Sequence, residues 1–208
     1  MIIKLYLITD RKLFSNKEVF FNTMEEALEA GIRAVQLREK DIPSREILDM
    51  AYRLRALNSR YKAMLFINDR IDIALCVGAD GVHLGQASLP ASAVRKIVRR
   101  TMLIGVSTHS LKEALEAERD GADFITFGPV YQTPSKMKYG KPIGVEALRD
   151  LRKNISIPII GIGGINLDNA EEVINAGADG VAMIRGVLST TDIKNAVKKY
   201  LKILGEER

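Results

Sequence analysis

Eight short apolar segments recur along the chain, and each is followed by a turn and then by a segment with the spacing of an amphipathic helix. The apolar segments are rich in β-branched residues at consecutive positions, which predicts strands buried on both faces. We place the strands at 3–9, 33–38, 63–67, 81–84, 102–106, 124–127, 158–162 and 180–184. Eight parallel strands joined by helices predict an α/β fold closed into a (β/α)8 TIM barrel, with a doubly wound open sheet as the alternative.

A short repeat marks the points where predicted helices pass into strands. Gly-Ala-Asp occurs at 78–80, 121–123 and 177–179, and a related sequence begins at Gly31. Glycine can end a helix in the left-handed conformation and so allows a tight turn into the next strand. Because no linker or low-complexity segment interrupts this alternation, we predict one TIM-barrel domain over residues 1–208.

The charges and the hydropathy pattern exclude some classes of partner. The chain has 31 basic and 26 acidic residues and a formal net charge of +5. The densest basic group, at 95–100, alternates with apolar residues as an amphipathic helix does, so we predict no nucleic-acid partner. No run of about 18 uncharged apolar residues is present, which predicts no membrane partner. A modest positive excess suits small anionic ligands.

The single cysteine bears on burial and on location. Cys76 lies in an apolar run, so we predict that it is buried in a helix. One cysteine cannot form an internal disulfide, and the first ten residues lack the pattern of a signal peptide. Both observations predict a cytoplasmic protein.

In a parallel barrel the functional side chains lie at the carboxyl ends of the strands. At the end of the second strand, Gln36, Arg38 and Lys40 occupy alternate positions and point to one side, while Val35 and Leu37 point to the other. Two cations and an amide at this rim predict an anion-binding site, with a surface salt-bridge cluster as the alternative.

The third and fifth strands also end in polar residues. Asn68 and Asp69 follow the third strand, where either could cap the next helix and Asp69 could instead bind a divalent metal. Ser107 follows the fifth strand and is available to a substrate. Ser110 and Glu113 have the spacing of a helix capping box.

The loops after the last three strands predict a phosphate site. Loop 128–144 is the longest, the glycine pair 163–164 lets backbone N–H groups approach a ligand, and Arg185 follows the last strand. Each of the two histidines, His83 and His109, is either a proton carrier or a hydrogen-bonded structural residue.

Seven short motifs stand at the predicted rim. They are YLITD at 6–10, QLREK at 36–40, ND at 68–69, GVHLGQ at 81–86, GVS at 105–107, GPVYQTPSK at 128–136 and GIGGI at 161–165. Each motif alone is a weak signal. As an ordered set covering about residues 4 to 190, they resemble the thiamine phosphate synthase family.

The resemblance implies a transferase that condenses 4-amino-2-methyl-5-(hydroxymethyl)pyrimidine diphosphate with 4-methyl-5-(2-phosphoethyl)thiazole and releases diphosphate, with Mg²⁺ as cofactor. Asp69 would bind the metal. The implied pyrimidine diphosphate site is Gln36, Leu37, Arg38, Glu39, Lys40, Asn68, Ser107 and Lys136. The implied thiazole phosphate site is Thr133, Pro134, Ser135, Gly164, Ile184 and Arg185. The residues expected to assist catalysis are Arg38, Lys40, Ser107 and Lys136.

One departure from the family pattern concerns the metal. The pattern after the fourth strand reads Gly-Gln-Glu-Asp, and its aspartate is the second Mg²⁺ ligand. Here residues 85–88 read Gly-Gln-Ala-Ser, so Ser88 stands in place of the carboxylate. A neutral hydroxyl is a poorer ligand for Mg²⁺, and we expect weaker metal binding.

This departure raises two alternatives. The related TenI-like proteins act as thiazole tautomerases, which need an acid–base residue rather than two metal carboxylates. A non-catalytic protein that binds thiazole phosphate is the other alternative. The TenI-like pattern has a histidine where this chain has Pro129. The chain also keeps a full set suited to diphosphate, namely Arg38, Lys40, Asp69 and Lys136, so the synthase is favoured. The oligomeric state stays open, a homo-oligomer included.

Overall fold

The computed structural model describes residues 3–98, 102–133 and 142–206. Eight parallel strands pair in chain order, and the last pairs with the first, so the sheet closes into a barrel. The strands are β1 (Leu5–Ile8), β2 (Ala34–Leu37), β3 (Met64–Asn68), β4 (Gly81–Leu84), β5 (Leu103–Thr108), β6 (Phe124–Phe127), β7 (Ile159–Ile162) and β8 (Gly180–Met183). The closed barrel confirms the TIM-barrel prediction and rules out the open sheet.

Helices alternate with the strands and cover the outside of the barrel. They are α1 (Lys17–Glu29), α2 (Ser44–Arg60), α3 (Ile71–Val77), α4 (Ala91–Val98), α5 (Leu111–Arg119), α6 (Gly144–Arg152), α7 (Ala170–Asn175), α8 (Arg185–Leu188) and α9 (Ile193–Ile203). A short 3-10 helix, Arg11–Leu13, follows β1.

The predicted strand boundaries hold at β4 and β6 and shift by one or two residues elsewhere. Two of the shifts concern the candidate site. Asn68 pairs with His83 across β3 and β4, and Ser107 pairs with Thr126 across β5 and β6. Both residues therefore belong to strands rather than to loops. An apolar pattern underestimates these strands because the barrel interior becomes polar before the pairing ends.

Side chains along each strand alternate between an outer core, shared with the helices, and the barrel interior. Val35 and Leu37 lie in the outer core, as the alternation predicted for β2. The interior contains three aromatic rings, from Tyr6, Phe66 and Phe124, with centroids 5.2 to 5.7 Å apart in edge-to-face contact. This aromatic triangle fills the middle of the barrel.

Two glycines make room for the triangle. A Cβ atom at Gly81 would lie 2.5 Å from Cδ1 of Phe66. One at Gly105 would lie 2.7 Å from Cε2 of Phe124 and 2.7 Å from Nδ1 of His83. All three distances are too short for a real side chain, so these two strand positions require glycine.

The Gly-Ala-Asp repeat builds a recurring contact near the amino ends of the strands. Each glycine has positive φ and ends its helix. Each aspartate accepts a hydrogen bond from a backbone N–H of the preceding strand and pairs with an arginine of the helix before that strand. The sets are Asp80 with Leu65 and Arg55, Asp123 with Ile104 and Arg95, and Asp179 with Ile159 and Arg152. We call this the aspartate–arginine repeat; its period is two β/α units.

Cys76 lies in α3, but its side chain is exposed, so the prediction that it is buried was wrong. The buried residues of α3 are Ile71, Ile73, Ala74 and Val77. Cys76 falls on the other face of the helix. In an apolar run of this length the sequence alone does not show which face packs against the barrel.

Among the described residues, no helix has both the length and the apolar character needed to span a membrane. The cytoplasmic location and the oligomeric state stay predictions.

Candidate active site

A polar layer lies inside the barrel between the aromatic triangle and the rim. Its residues stand two positions after interior residues of β2 to β6, because side chains of a strand alternate between its two faces. They are Gln36, Asn68, His83, Ser107 and Thr126. The structure thus brings together three of the predicted site residues.

Gln36 carries the clearest indication of a ligand. It is 1% exposed, and its Nε2 donates to Oδ1 of Asn68 at 3.0 Å. Its Oε1 is buried and has no hydrogen-bond partner within the described part of the chain. Leaving a buried acceptor unsatisfied costs about 1–3 kcal/mol, so this oxygen favours a ligand with an N–H or O–H group.

Two cations stand at the rim beside this layer. Arg38 is half-buried, and its guanidinium has no hydrogen-bond or ion-pair partner among the described residues. Lys40 is exposed, with Nζ 3.9 Å from Oδ2 of Asp69. Of the salt-bridge cluster considered as an alternative for Arg38 and Lys40, the described residues show only the long contact between Lys40 and Asp69. A half-buried cation without a counter-charge favours an anionic ligand.

Leu37 and Glu39 have protein partners on the other side of this segment. Leu37 is 1% exposed in the outer core. Glu39 is 7% exposed, and its Oε1 accepts hydrogen bonds from Oγ1 of Thr9 at 2.7 Å and from the backbone N–H of Arg11 at 3.0 Å. Burial raises the pKa of Glu39, and the hydrogen bond from Thr9 opposes that shift. Contact of either side chain with a substrate stays a prediction.

Asp69 and Ser88 meet where β3 and β4 end. Asp69 has a φ of 59°, and it does not cap α3, whose first flanking residue is Arg70. The hydroxyl of Ser88 donates to Oδ1 of Asp69 and accepts from the backbone N–H of Gly85 at 2.7 Å. Ser88 is therefore next to the predicted metal ligand, but it presents a hydrogen-bond donor instead of a negative charge.

His83 is a buried hydrogen-bonding residue. Its Nε2 lies 2.9 Å from Oγ of Ser107, and its Nδ1 lies 3.5 Å from the hydroxyl of Tyr6. Oγ1 of Thr126 donates to Oγ of Ser107 at 3.4 Å. Burial lowers the pKa of His83 to about 3, so the ring is neutral near pH 7. The geometry thus favours the structural role for His83, which is to hold Ser107.

The segment after β5 is organised by a helix cap. Ser110 accepts from the backbone N–H of Glu113 at 3.2 Å. Glu113 accepts from the backbone N–H and from Nδ1 of His109, at 2.8 and 3.0 Å. The Ser110 half of the predicted capping box is confirmed, whereas the side chain of Glu113 reaches back to His109 instead of to the N–H of Ser110. Gln86 donates to the backbone carbonyl of Ser107 at 2.5 Å, which further fixes that residue.

The loop after β6 rests on the turn after β7. The backbone N–H of Tyr131 donates to the carbonyl of Gly163 at 2.9 Å. A Cβ atom at Gly164 would lie 2.6 Å from the carbonyl oxygen of Gln132. The φ values of Gly163 and Gly164 are 98° and 67°, so both the backbone conformation and the close approach require glycine here.

A tyrosine ties the same loop to α7. The hydroxyl of Tyr131 donates to Oε2 of Glu172 at 2.5 Å. Burial raises the pKa of Tyr131 to about 12, so the hydroxyl keeps its proton. The loop is thus attached to its neighbour through both backbone and side chain.

Helix α7 begins at Ala170, and its N-cap is Asn169. Nδ2 of Asn169 donates to the carbonyl of Gly164 at 3.1 Å, and its Oδ1 accepts from the backbone N–H of Asn166 at 2.8 Å. The side chain of Asn169 therefore holds the turn after β7 and makes no capping hydrogen bond to the helix.

The structure describes three of the remaining predicted residues of the phosphate site and leaves out three others. Thr133 is half-buried, one residue after the contact with Gly164. Ile184 is half-buried at the end of β8, and Arg185 is exposed at the start of α8. Three predicted residues lie outside the described part of the chain, namely Pro134, Ser135 and Lys136.

Sequence reasoning assigned no role to three residues that the structure places at the site. They are Tyr6 and Thr126, in the network around His83, and Thr9, which bonds to Glu39. The strand alternation contains a signal for one of them. Thr126 follows Phe124 by two positions, as Ser107 follows Gly105, and therefore faces the same interior.

Comparison with known proteins identifies the family. A family model described as thiamine monophosphate synthase matches residues 5–187. The thiamine-phosphate synthase of Clostridium acetobutylicum is 42% identical over 97% of this chain and 94% of its own length. That of Pyrococcus furiosus is 43% identical over 98% of this chain and 96% of its own length.

A solved structure agrees with these sequences. Thiamine phosphate pyrophosphorylase from Pyrococcus furiosus superposes with a TM-score of 0.89 at 41% identity, covering 98% of this chain and 96% of the other. Similarity of sequence and of fold thus extends over the whole barrel, including every strand that contributes to the rim. The chain belongs to the thiamine monophosphate synthase family.

Proposed function

We propose that the chain is a thiamine phosphate synthase, a transferase that joins 4-amino-2-methyl-5-(hydroxymethyl)pyrimidine diphosphate to 4-methyl-5-(2-phosphoethyl)thiazole. The names of relatives that are 42% and 43% identical over nearly the whole chain support this assignment. The observation that carries it is the buried Oε1 of Gln36, two residues before the half-buried Arg38, since neither this oxygen nor the guanidinium has a partner among the described residues. An acceptor next to a cation suits an aminopyrimidine that bears a diphosphate.

The Gln36–Asn68 pair orients the pyrimidine. Oε1 of Gln36 accepts from the exocyclic amine, while the bond from Nε2 to Asn68 fixes the direction of the amide. An electron-rich aminopyrimidine can expel diphosphate from its methylene carbon as a stabilised cation. An acceptor at the amine stabilises the positive charge that develops there.

The rim cations stabilise the leaving group. As the bond between the methylene carbon and the diphosphate oxygen breaks, Arg38 and Lys40 neutralise the released charge, with Lys136 as the third proposed cation. Ser107, which His83 holds, supplies a hydroxyl to the same substrate. The lone pair of the thiazole nitrogen forms the new carbon–nitrogen bond, so no side-chain nucleophile is needed.

The thiazole phosphate is held on the opposite side of the rim, after β6, β7 and β8. We assign its phosphate to Thr133, Ser135 and backbone N–H groups at Gly164, with Ile184 and Arg185 as further neighbours. The packing of the β6 loop on the glycine turn supports this assignment, because it brings Gln132, the residue before Thr133, against Gly164. Holding the phosphate directs the thiazole ring toward the methylene carbon.

Mg²⁺ is the proposed cofactor, and Asp69 is the residue that would hold it. The side chain of Asp69 is 36% exposed at the rim, with Ser88 beside it. Among the described residues, no group of three or more metal-binding side chains is present. Mg²⁺ is commonly bound by one or two carboxylates together with substrate phosphates and water, so this donor set suits a metal that binds with the diphosphate. The ion would supply charge neutralisation for the leaving group.

The tautomerase alternative finds little support in the geometry. It needs an acid–base residue over the thiazole, and Pro129 stands where the TenI-like pattern has a histidine. The two histidines of the chain are both engaged elsewhere: His83 is buried and neutral, and His109 is bound in a helix cap.

A turnover assay with both substrates and Mg²⁺ tests the proposal. We expect thiamine phosphate and diphosphate in equal amounts, and a loss of about 100-fold in kcat for Arg38→Gln. Arg119→Gln, on the exposed side of α5, is the matched control and should be unchanged. Isomerisation of the thiazole without condensation would establish the tautomerase instead. Binding of thiazole phosphate without either reaction would establish the regulatory alternative.

A further inference from the structure

Thr9 makes hydrogen bonds to the backbone of both Gln36 and Arg38. It is fully buried and follows the last residue of β1. Its backbone N–H donates to the carbonyl of Gln36 at 2.9 Å, and its Oγ1 accepts from the backbone N–H of Arg38 at 2.9 Å. The strand pairing ends where Ile8 faces Gln36, so the side chain of Thr9 supplies the next partner in the ladder.

Glu39 fixes the direction of the Thr9 hydroxyl. The hydroxyl donates to Oε1 of Glu39 at 2.7 Å, and a hydroxyl has only one proton to give. Its lone pairs are therefore left for the N–H of Arg38. The same Oε1 accepts from the backbone N–H of Arg11, which attaches the loop after β1. A carboxylate that is only 7% exposed is uncommon unless it is bonded in this way.

We infer that Thr9 is a positioning residue for the pyrimidine diphosphate site, which acts through the backbone of Arg38 and is itself held by Glu39. The inference rests on the proposed function. Because β2 ends at Leu37, Arg38 has no strand partner of its own, and the hydroxyl of Thr9 accepts its backbone N–H. Removing that hydroxyl leaves a part-buried backbone N–H unsatisfied, so the backbone that carries the Arg38 side chain is held less firmly. Glu39 then serves the site without touching the substrate.

The test compares Thr9→Val, which keeps the shape and removes the hydroxyl, with Thr9→Ser, which restores it. For Thr9→Val we expect kcat/KM for pyrimidine diphosphate to fall about tenfold, with part of the loss in kcat, while the KM for thiazole phosphate stays within twofold. Thr9→Ser should recover to within about threefold of the parent. Equal losses for both substrates, or no recovery in Thr9→Ser, would overturn the inference.

Thr108→Val is the matched control for loss of a buried hydroxyl. Thr108 is 1% exposed, and its Oγ1 donates to the carbonyl of Thr126 at 3.1 Å. It lies on the side of β5 that Ile104 and Val106 direct toward the outer core. We expect a loss of stability without a change in the ratio of the two KM values. A change of that ratio equal to the one in Thr9→Val would show that any buried hydroxyl has this effect.

Glu39→Gln gives an independent test if Thr9→Val does not fold. Both hydrogen bonds to Glu39 use Oε1, and the amide oxygen of glutamine can accept both, so we expect kcat/KM within about threefold of the parent. A loss of tenfold or more would overturn this role, because it would show that the site needs the negative charge of Glu39, whose Oε2 lies 3.9 Å from Nε of Arg11, rather than its hydrogen bonds. Calorimetric measurement of pyrimidine diphosphate binding to each variant distinguishes a failure of the positioning role from a failure of the proposed function. If the parent binds this substrate and forms no product, the synthase proposal fails while the positioning role is still measured.

Discussion

Ser88 removes one negative charge from the rim, compared with the aspartate of the family pattern. Its hydroxyl donates to Oδ1 of Asp69, an oxygen that a metal would need as a ligand. Two neighbouring carboxylates would repel each other and be stabilised by a cation between them. A carboxylate with a hydroxyl donor beside it is already satisfied in part, so the metal gains less by binding.

We therefore expect Ser88→Asp to tighten the binding of Mg²⁺ by about tenfold in the presence of pyrimidine diphosphate, because a second negative charge is added to the site. Calorimetry with Mg²⁺, or spin resonance with Mn²⁺, measures the change directly. Ser92→Asp, on the exposed face of α4, adds the same charge away from the rim and is the control. An unchanged affinity in Ser88→Asp would show that position 88 is not at the metal.

His83 makes folding sensitive to acid. Burial lowers its pKa to about 3, so the unfolded chain takes up a proton near pH 6.5 that the folded chain does not. The stability that neutral His83 contributes is complete above about pH 6.5 and is lost as the pH falls toward 3. At pH 4 the loss is roughly 3 kcal/mol.

His83→Gln should therefore lose less stability than the parent between pH 7 and pH 4. Glutamine can reach Ser107 with its own amide and does not titrate. Urea unfolding of both proteins at the two pH values gives the comparison. If the parent and the variant lose the same free energy of unfolding, His83 does not carry a depressed pKa.

At the scale of elements, the aspartate–arginine repeat joins three helices, α2, α4 and α6, each to the two strands that follow it. One carboxylate oxygen accepts from a strand N–H and from an arginine, so a single residue satisfies backbone and side chain together. The repeat lies near the amino ends of the strands, whereas the candidate site lies at their carboxyl ends. Stability and activity can therefore be measured separately along the same strands.

Asp179→Ala should lower the free energy of unfolding by about 2 kcal/mol, because it removes charged hydrogen bonds to Ile159 and Arg152. Both KM values should stay within twofold of the parent. Asp150→Ala removes an exposed ion pair with Lys153 and should cost less than about 0.5 kcal/mol. Urea unfolding with parallel kinetics checks both. A change of more than twofold in either KM would contradict the separation of stability at the amino ends of the strands from activity at their carboxyl ends.

The Tyr131–Glu172 hydrogen bond joins the β6 loop to α7. Tyr131→Phe removes only the hydroxyl, and we expect the KM for thiazole phosphate to rise about threefold to tenfold with little change in that for pyrimidine diphosphate. Tyr61→Phe is the control, since its hydroxyl donates to Glu25 on the outside of the barrel. Steady-state kinetics with each substrate varied in turn gives the result. Equal effects of the two variants would exclude a role of Tyr131 in holding the loop.

At the scale of the whole molecule, the fold could be predicted from the sequence because each strand and helix carries its own pattern and eight copies repeat it. The identity of many rim residues followed from the same logic, since Gln36, Arg38 and Asn68 stand where strands end. The partners of those residues could not be predicted. Thr9 reaches Arg38 only because β1 and β2 pair in a particular register, and a strand pattern does not contain that register.

Which face of α3 is exposed could not be predicted from the sequence, for a similar reason. An apolar helix of seven residues can turn either side toward a barrel, and the neighbouring strands decide the outcome. Local patterns thus give the elements and their order. Side-chain partners depend on how distant segments meet, as the contact between Ser88 and Asp69 shows.

The aromatic triangle fills the barrel below the polar layer, and Gly81 and Gly105 leave the space that its rings occupy. Any side chain at these two positions would displace Phe66, Phe124 or His83. The depth of the proposed substrate site would therefore depend on two residues that reach no substrate. An enzyme of this family could acquire a shallower pocket, and with it a preference for a smaller ring, through a change at the bottom of the barrel that leaves every ligand contact in place.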